Sequence, residues 1–78
     1  MTLGTKLRNL RIVKNKSLDS VSIKLNVSKT AIGKWESDRA KPSIDSLMKI
    51  CDYYEIELYK LLENVENVNF GNTKFKVN

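Results

Sequence analysis

The sequence predicts an all-α domain of five helices in which the second and third helices form a helix-turn-helix. Its 78 residues are enough for one domain with a modest core. The segment from Val27 to Glu36 has apolar side chains on one helical face and short or cationic side chains elsewhere. A turn of about three residues joins it to a preceding helix of about eight, which is the spacing of a helix-turn-helix.

The first helix is expected over residues 4–15. Leu7 and Leu10 fall on its inward face, and Leu3 lies where it can close the end of the core. Asn15 tolerates the left-handed backbone conformation that ends a helix. A second helix can therefore begin almost at once.

The second helix is expected over residues 18–25, with Ser17 as its cap. Asp19 lies in the first turn, where a carboxylate offsets the positive end of the helix dipole. Ser22 is a small residue on the inward side, which would let another helix approach closely. Asn26 is the predicted left-handed residue of the turn that follows.

The third helix is expected from the Ser28 cap to about Ser37. Ile32 and Trp35 lie three residues apart on its inward face. A solvated face normally mixes charges of both signs, but this helix has no acid before Glu36. Its other faces carry Ser28, Lys29, Thr30 and Lys34. Such a surface is typical of a helix that contacts DNA.

The rest of the helical part follows a loop that ends at Pro42, the single proline. Ser43 is expected to cap the fourth helix, with Asp45 in its first turn. A short fifth helix is expected over residues 57–63. The apolar stripes of these two helices, which we expect to face the core, consist of Ile44, Leu47, Met48, Ile50, Cys51, Tyr54, Leu58, Leu61 and Leu62.

From Val65 onward the apolar pattern changes to a period of two, around the dipeptide Gly71-Asn72. A two-residue turn of this type predicts a small C-terminal β-hairpin with Phe70 opposite Thr73. The alternative is a disordered, asparagine-rich tail. A hairpin would present one apolar face, against the chain's own helices or a second subunit, formed by Val68, Phe70, Phe75 and Val77. The chain is accordingly divided into a domain at 1–63 and an extension at 64–78.

The charge is concentrated in residues 1–42, which hold ten lysines and arginines and three acids. This asymmetry favours a polyanionic partner, because neutralised phosphates release counterions. With one cysteine and no histidine, the chain lacks the residues for a disulfide, a zinc knuckle or a Ser-His-Asp triad. We therefore expect neither an enzyme nor a metal site, and no cofactor or small-molecule ligand. No apolar run is long enough to cross a membrane, and the expected location is the cytoplasm.

The residues at 3–63 closely resemble the Cro/XRE-like family of phage-repressor helix-turn-helix domains, which has the lambda-repressor-like five-helix fold. The resemblance covers about three quarters of the chain. It is based on Leu3-Gly4, Leu7, Leu10, Arg11, Ser17, Leu25-Asn26-Val27-Ser28, Ile32, Lys34-Trp35-Glu36, Lys41-Pro42-Ser43, Leu47, Ile50 and Leu61-Leu62.

The resemblance implies that the third helix enters the major groove of double-stranded DNA. The positions that match base-contacting residues are Ser28, Lys29, Thr30 and Lys34, although the two lysines could instead bind phosphate without regard to sequence. The positions that match phosphate-contacting residues are Lys16, Ser17, Arg39 and Lys41, with Lys6 and Lys14 as weaker candidates. Arg11 and Glu36 match a structural bridge between the first and third helices.

The sequence departs from the family at three positions. Leu18 replaces a glutamine that usually grips the DNA backbone, which leaves the register on DNA less defined. Ile12 and Val13 stand where relatives usually have polar residues, so they are candidates for an exposed or interface position.

The function expected from the sequence is a sequence-specific DNA-binding transcriptional regulator, acting as a repressor and as a homodimer on a palindromic operator. The alternative from another class is a protein-interaction module, antitoxin-like or adaptor-like, that binds a protein partner through the hairpin.

Overall fold

A computed structural model describes residues 1–67 completely and the backbone of residues 69–70 and 73–74. Five helices make up most of this part of the chain. They are α1 (Leu3–Val13), α2 (Leu18–Leu25), α3 (Lys29–Glu36), α4 (Ile44–Tyr54) and α5 (Leu58–Leu61). The predicted all-α, five-helix fold is confirmed.

Four helices begin at a hydroxyl side chain that accepts a hydrogen bond from the backbone N–H three residues later. The donor-to-oxygen distances are 3.2 Å at Thr2, 3.0 Å at Ser17 and 3.1 Å at both Ser28 and Ser43. Each bond satisfies one N–H group that the helix itself leaves without a partner. The three predicted serine caps are therefore confirmed, and Thr2 is a fourth that the sequence analysis missed.

Left-handed residues end two of the helical segments as predicted. Asn15 has a φ of 56° and Asn26 a φ of 55°, and asparagine tolerates this conformation better than most residues. The turn between α2 and α3 is also held by Ser22, whose hydroxyl donates to the Val27 carbonyl at 2.6 Å. Ser22 was predicted only as a small residue that allows close packing, but its hydroxyl also forms a hydrogen bond.

A single apolar core lies between the helices. Its centre consists of Leu47, Leu61 and Leu62, whose side chains are almost completely buried. Trp35 and Ile32 bring α3 onto this core from one side. The other buried apolar residues are Leu3, Leu7, Val21, Leu25, Ile50, Cys51, Tyr54 and Val65.

The start of α1 lies directly against the end of α3. A Cβ atom added at Gly4 would lie 2.5 Å from the Trp35 carbonyl oxygen and 2.6 Å from that of Glu36. Only glycine allows two backbones to approach this closely. Leu3-Gly4 is part of the family resemblance, but no sequence pattern indicates this contact.

Residues 64–67 follow α5 without forming a helix, and they pack against the N-terminal end of the helical domain. Val65 is buried, and the Glu66 N–H donates to the Met1 carbonyl at 3.2 Å. The side-chain oxygen of Asn67 accepts from the Leu3 N–H at 2.8 Å. This short segment is thereby held beside the first residues of α1.

Two short strands follow, β1 (Asn69–Phe70) and β2 (Thr73–Lys74). They pair antiparallel, with Asn69 opposite Lys74 and Phe70 opposite Thr73. The remainder of the expected hairpin lies outside the described residues. Its apolar face, Val68, Phe70, Phe75 and Val77, therefore stays a prediction.

The structure corrects the expected ends of three helices. The first helix runs over Leu3–Val13 rather than 4–15, the third ends at Glu36 rather than about Ser37, and the fifth covers Leu58–Leu61 rather than 57–63. Capping explains part of this, because Thr2 starts α1 one residue earlier. The tight turn at Asn15 also ends it sooner.

Two residues assigned to the inward stripe of α4 are exposed. Ile44 keeps 46% of its accessible surface and Met48 keeps 52%. They lie four residues apart on one side of the helix, whereas Leu47, Ile50, Cys51 and Tyr54 face the core. Helical periodicity predicted too wide a stripe here, because it cannot tell a core face from an apolar surface patch.

Candidate nucleic-acid interface

The outer surface of α3 carries the predicted base-contacting residues. Ile32 and Trp35 anchor one face of the helix in the core, so side chains on its other faces are directed away from the core. All four predicted residues of this surface are exposed: Ser28, Lys29, Thr30 and Lys34. Ser28 also uses its hydroxyl to cap the helix through the Ala31 N–H.

Gly33 lies in the middle of α3 and faces open space. A Cβ atom added there would meet no heavy atom within 4 Å. Glycine lowers helix stability by about 1 kcal/mol relative to alanine, and nothing in the described residues requires it. A close approach of another molecule to this part of the helix would explain its presence.

The bridge between Arg11 and Glu36 is present and is bidentate. Arg11 Nε lies 2.7 Å from Glu36 Oε2, and Nη2 lies 3.0 Å from Oε1. Both side chains are largely buried, with exposed fractions of 14% and 9%. Arg11 Nη1 also donates to the Lys16 carbonyl at 3.1 Å, so one guanidinium connects α1, α3 and the turn before α2.

The bridge shifts the pKa of Arg11, and burial shifts the pKa values of two side chains of α4. The hydrogen bond to Glu36 raises the pKa of Arg11 above its ordinary value. Burial, with smaller effects of Tyr53 and Glu36, raises the pKa of Tyr54 to about 12. Burial likewise raises the pKa of Cys51. Burial thus favours the neutral forms of the Tyr54 phenol and the Cys51 thiol.

The predicted phosphate-contacting residues lie at the two ends of the helix-turn-helix. Lys16 and Ser17 are exposed just before α2, and Arg39 and Lys41 are exposed in the loop after α3. Lys16 also places its ammonium 5.7 Å from the centre of the Tyr53 ring. A cation over an aromatic face is held by the ring quadrupole, which restricts where this lysine can reach.

Lys6, a weaker phosphate candidate, is engaged elsewhere in the molecule. Its ammonium donates to the Glu63 carbonyl at 2.9 Å, beyond the end of α5. This position is consistent with a structural role, since lysines stabilise the negative ends of helices. Lys14 remains exposed.

An ion pair that the sequence analysis did not predict lies on the exposed side of α2 and α3. Lys29 Nζ is 2.9 Å from Asp19 Oδ1. Both side chains are well exposed, at 59% and 70%. No periodicity indicates this contact, because it depends on how the turn at Asn26 places the two helices.

Within the described residues, no cluster of three or more acidic, cysteine or histidine side chains is placed to hold a metal ion. In that same part of the chain, no helix is both long and apolar enough to span a membrane. The predicted interface residues Val68, Phe75 and Val77 lie outside the described residues, as does the side chain of Phe70.

Comparison with known proteins also identifies a helix-turn-helix domain. A family model described as helix-turn-helix matches residues 7–61. The HTH-type transcriptional activator BcrR of Enterococcus faecalis is 33% identical over all 78 residues. The chain spans only 38% of the length of that relative.

Solved structures also resemble this chain. The master regulator for biofilm formation SinR, in complex with DNA, has a TM-score of 0.73 and 25% identity, covering 80% of this chain and all of that one. An HTH_3 family transcriptional regulator from Vibrio cholerae has a TM-score of 0.70 and 30% identity, covering 77% of this chain and 34% of that one.

Proposed function

The chain belongs to the Cro/C1-XRE-type helix-turn-helix family of DNA-binding transcriptional regulators, and we propose that it recognises a specific sequence of double-stranded DNA through α3. The observation that carries the proposal is the exposed, cation-bearing surface of a helix whose opposite side is fixed in the core. A helix held in this way can enter the major groove with its first turns on the base edges.

The individual residues suit different contacts in such a complex. Lys29 and Lys34 can donate to O6 and N7 of guanine, and the Thr30 methyl can contact that of thymine. Ser28 can meet a phosphate or a base. Phosphates on either side would be bound by Lys16, Ser17, Arg39 and Lys41, which lie before α2 and after α3.

The regulator would act as a homodimer on a palindromic operator. Two copies related by a two-fold axis place their α3 helices about 34 Å apart, or about 10 base pairs between half-site centres. The exposed Ile44 and Met48 on α4 support a dimer, because a partner subunit would remove this apolar surface from water. The C-terminal hairpin is the other candidate for the interface.

Occupation of an operator inside a promoter would repress transcription in the cytoplasm. A domain bound at such an operator blocks RNA polymerase by occupying the DNA, so repression requires no activity besides DNA binding. The relative BcrR is named an activator, so activation from an operator upstream of the promoter is the alternative to repression. A reporter gene with the selected operator placed within or upstream of a promoter would distinguish the two.

The first experiment is selection of bound duplexes from a random DNA pool at one stated salt concentration. We expect an enriched palindrome with the intact chain. Lys29→Ala and Lys34→Ala should relax the base preference at separate positions, each by about 1–3 kcal/mol of discrimination.

Lys49→Ala is the matched control, because Lys49 is an exposed lysine on α4 and not on α3. It should leave the base preferences unchanged. No enriched motif with the intact chain, and binding that only weakens as salt rises, would contradict sequence-specific recognition.

A further inference from the structure

The three acids of the basic N-terminal half differ in what they contact. Glu36 is paired with Arg11 in the partly buried bridge. Asp38 accepts hydrogen bonds from the start of α1. Asp19 instead lies on the exposed surface, with its carboxylate 2.9 Å from Lys29. A negative charge thus stands beside a predicted base-contacting lysine.

Stabilisation of the α2 dipole does not by itself explain this arrangement. Asp19 lies in the first turn of α2, as Asp45 does in the first turn of α4, and a carboxylate at either place favours the helix. Among the ion pairs of the described residues, none involves Asp45. A first-turn aspartate therefore serves its helix without holding a lysine, and the contact with Lys29 is an additional property of Asp19.

The chemistry of the pair suits contact with a base. A lysine ammonium has three N–H donors, and one bond to Asp19 leaves two for the acceptors O6 and N7 of a guanine. An unpaired lysine is a mobile point charge that binds any phosphate. Asp19 limits that alternative, because a phosphate drawn to Lys29 would approach the carboxylate, and like charges repel.

We propose that Asp19 is a positioning residue for DNA specificity, which holds the Lys29 ammonium for a base edge and lowers affinity for non-cognate DNA. The proposal rests on the proposed function, since it needs α3 in the major groove. It adds a role for a residue of α2 that makes no base contact of its own.

The test compares the intact chain with Asp19→Asn, using the selected duplex and a scrambled duplex of equal length over a series of salt concentrations. Asp19→Asn should tighten binding to the scrambled duplex about 1.5- to 5-fold, the range for release of one exposed ion pair. Its log–log salt slope should steepen by about 0.9, because Lys29 gains a phosphate contact. A repeated selection should show a relaxed preference at the base that Lys29→Ala also affects.

Two controls separate this role from a general effect of charge or folding. Asp45→Asn removes the matched first-turn acid of α4 and should change neither the base preference nor the salt slope. In a Lys29→Ala background, Asp19→Asn should leave the base preference as it is in Lys29→Ala alone. Circular dichroism verifies that every variant remains helical.

The outcomes distinguish this inference from the proposed function. Suppose that the intact chain prefers one sequence, and that Asp19→Asn keeps both this preference and the affinity for scrambled DNA. The role of Asp19 is then refuted, while the proposed function stands. An equal change in Asp45→Asn would refute it too. An intact chain without any sequence preference would overturn the proposed function, and the inference with it.

Discussion

Two glycines in this small domain have opposite surroundings. Gly4 is enclosed by the backbone carbonyls of Trp35 and Glu36, whereas Gly33 faces open space on α3. The first is explained by packing inside the chain. The second reduces helix stability without a benefit among the described residues, and we propose that close approach of DNA explains it.

Gly33→Ala should therefore stabilise the free protein and weaken its DNA binding. The gain should approach 1 kcal/mol in urea unfolding, since alanine favours the helix and meets no neighbour. Binding to the selected duplex should weaken because the added methyl group occupies the space of the approaching DNA. A stabilised variant with unchanged affinity would show that DNA does not approach Gly33 closely.

A second residue-level prediction concerns Glu36, whose carboxylate binds the Arg11 guanidinium at two points. Glu36→Gln removes the charge and leaves a largely buried cation without its partner, so the free energy of unfolding should fall by about 3 kcal/mol. Urea titration measures this. The control, Glu63→Gln, alters the exposed pair with Lys60, 3.8 Å apart, and should cost less than about 0.5 kcal/mol.

At the scale of elements, Asp38 connects α1, α3 and the segment after α5. It lies just after α3 with a φ of 61°. Its carboxylate accepts from the Thr2 hydroxyl at 2.6 Å, from the Gly4 N–H at 2.9 Å and from the Asn67 amide at 3.0 Å. These donors favour the charged form, and the bond from Thr2 contributes most to lowering the pKa of Asp38.

This lowered pKa predicts a specific acid sensitivity. The folded state binds fewer protons at Asp38 than the unfolded state, so the contribution to stability is present above the ordinary pKa of 3.8 and is lost as pH falls through the lower folded value. Asp38→Asn keeps a residue that tolerates the left-handed conformation but removes this titration. Its unfolding free energy should depend less on pH below about pH 4.

Urea titrations at several pH values test this prediction. The control is Asp52→Asn, at an exposed position on α4. Among the described residues, the Asp52 side chain has no hydrogen-bond or ion-pair partner, so Asp52→Asn should change the pH dependence less than Asp38→Asn does. Equal slopes for Asp38→Asn and the intact protein would show that the network around Asp38 contributes nothing to acid stability.

The sequence predicted those elements that depend on local patterns. The caps Ser17, Ser28 and Ser43 and the left-handed Asn26 follow from residue type and spacing, and α2 was predicted with both ends correct. The bridge from Arg11 to Glu36 came from family resemblance rather than from periodicity.

Contacts between distant segments were not predictable from such patterns. The network at Asp38 joins residues 2, 4 and 67, and the pair of Asp19 with Lys29 depends on the angle between two helices. The helical spacing of apolar residues also predicted Met48 in the core, although its side chain is exposed. Apolar residues on the surface and apolar residues in the core follow the same spacing along the sequence of a helix.

For the whole molecule, the cation-rich segment and the candidate dimer surface on α4 are different parts of the chain. The excess of cations lies in residues 1–42, while the exposed Ile44 and Met48 lie on α4. A regulator that binds a palindrome needs both a cationic surface for DNA and a separate one for its partner. We therefore expect that DNA binding and the proposed dimerisation can be removed separately.

Met48→Lys should accordingly disrupt a homodimer and leave the fold intact, because a buried lysine is costly at an interface but harmless on an exposed helix face. Sedimentation over a range of protein concentrations would measure the shift towards monomer. Val13→Lys is the control, since Val13 is an apolar residue of α1 with 79% of its surface exposed. A larger shift in Val13→Lys would move the interface to the end of α1.

The single cysteine makes the protein suitable for site-directed chemical labelling. Cys51 is buried in α4, and its raised pKa keeps the thiol protonated and slow to react. A cysteine introduced at the exposed position of Ser37, directly after α3 and away from Gly33, would be the preferred target of a thiol reagent. A DNA-cleaving chelate attached there would cut the bound duplex near α3, and the cleavage sites would give the orientation of the helix on its operator.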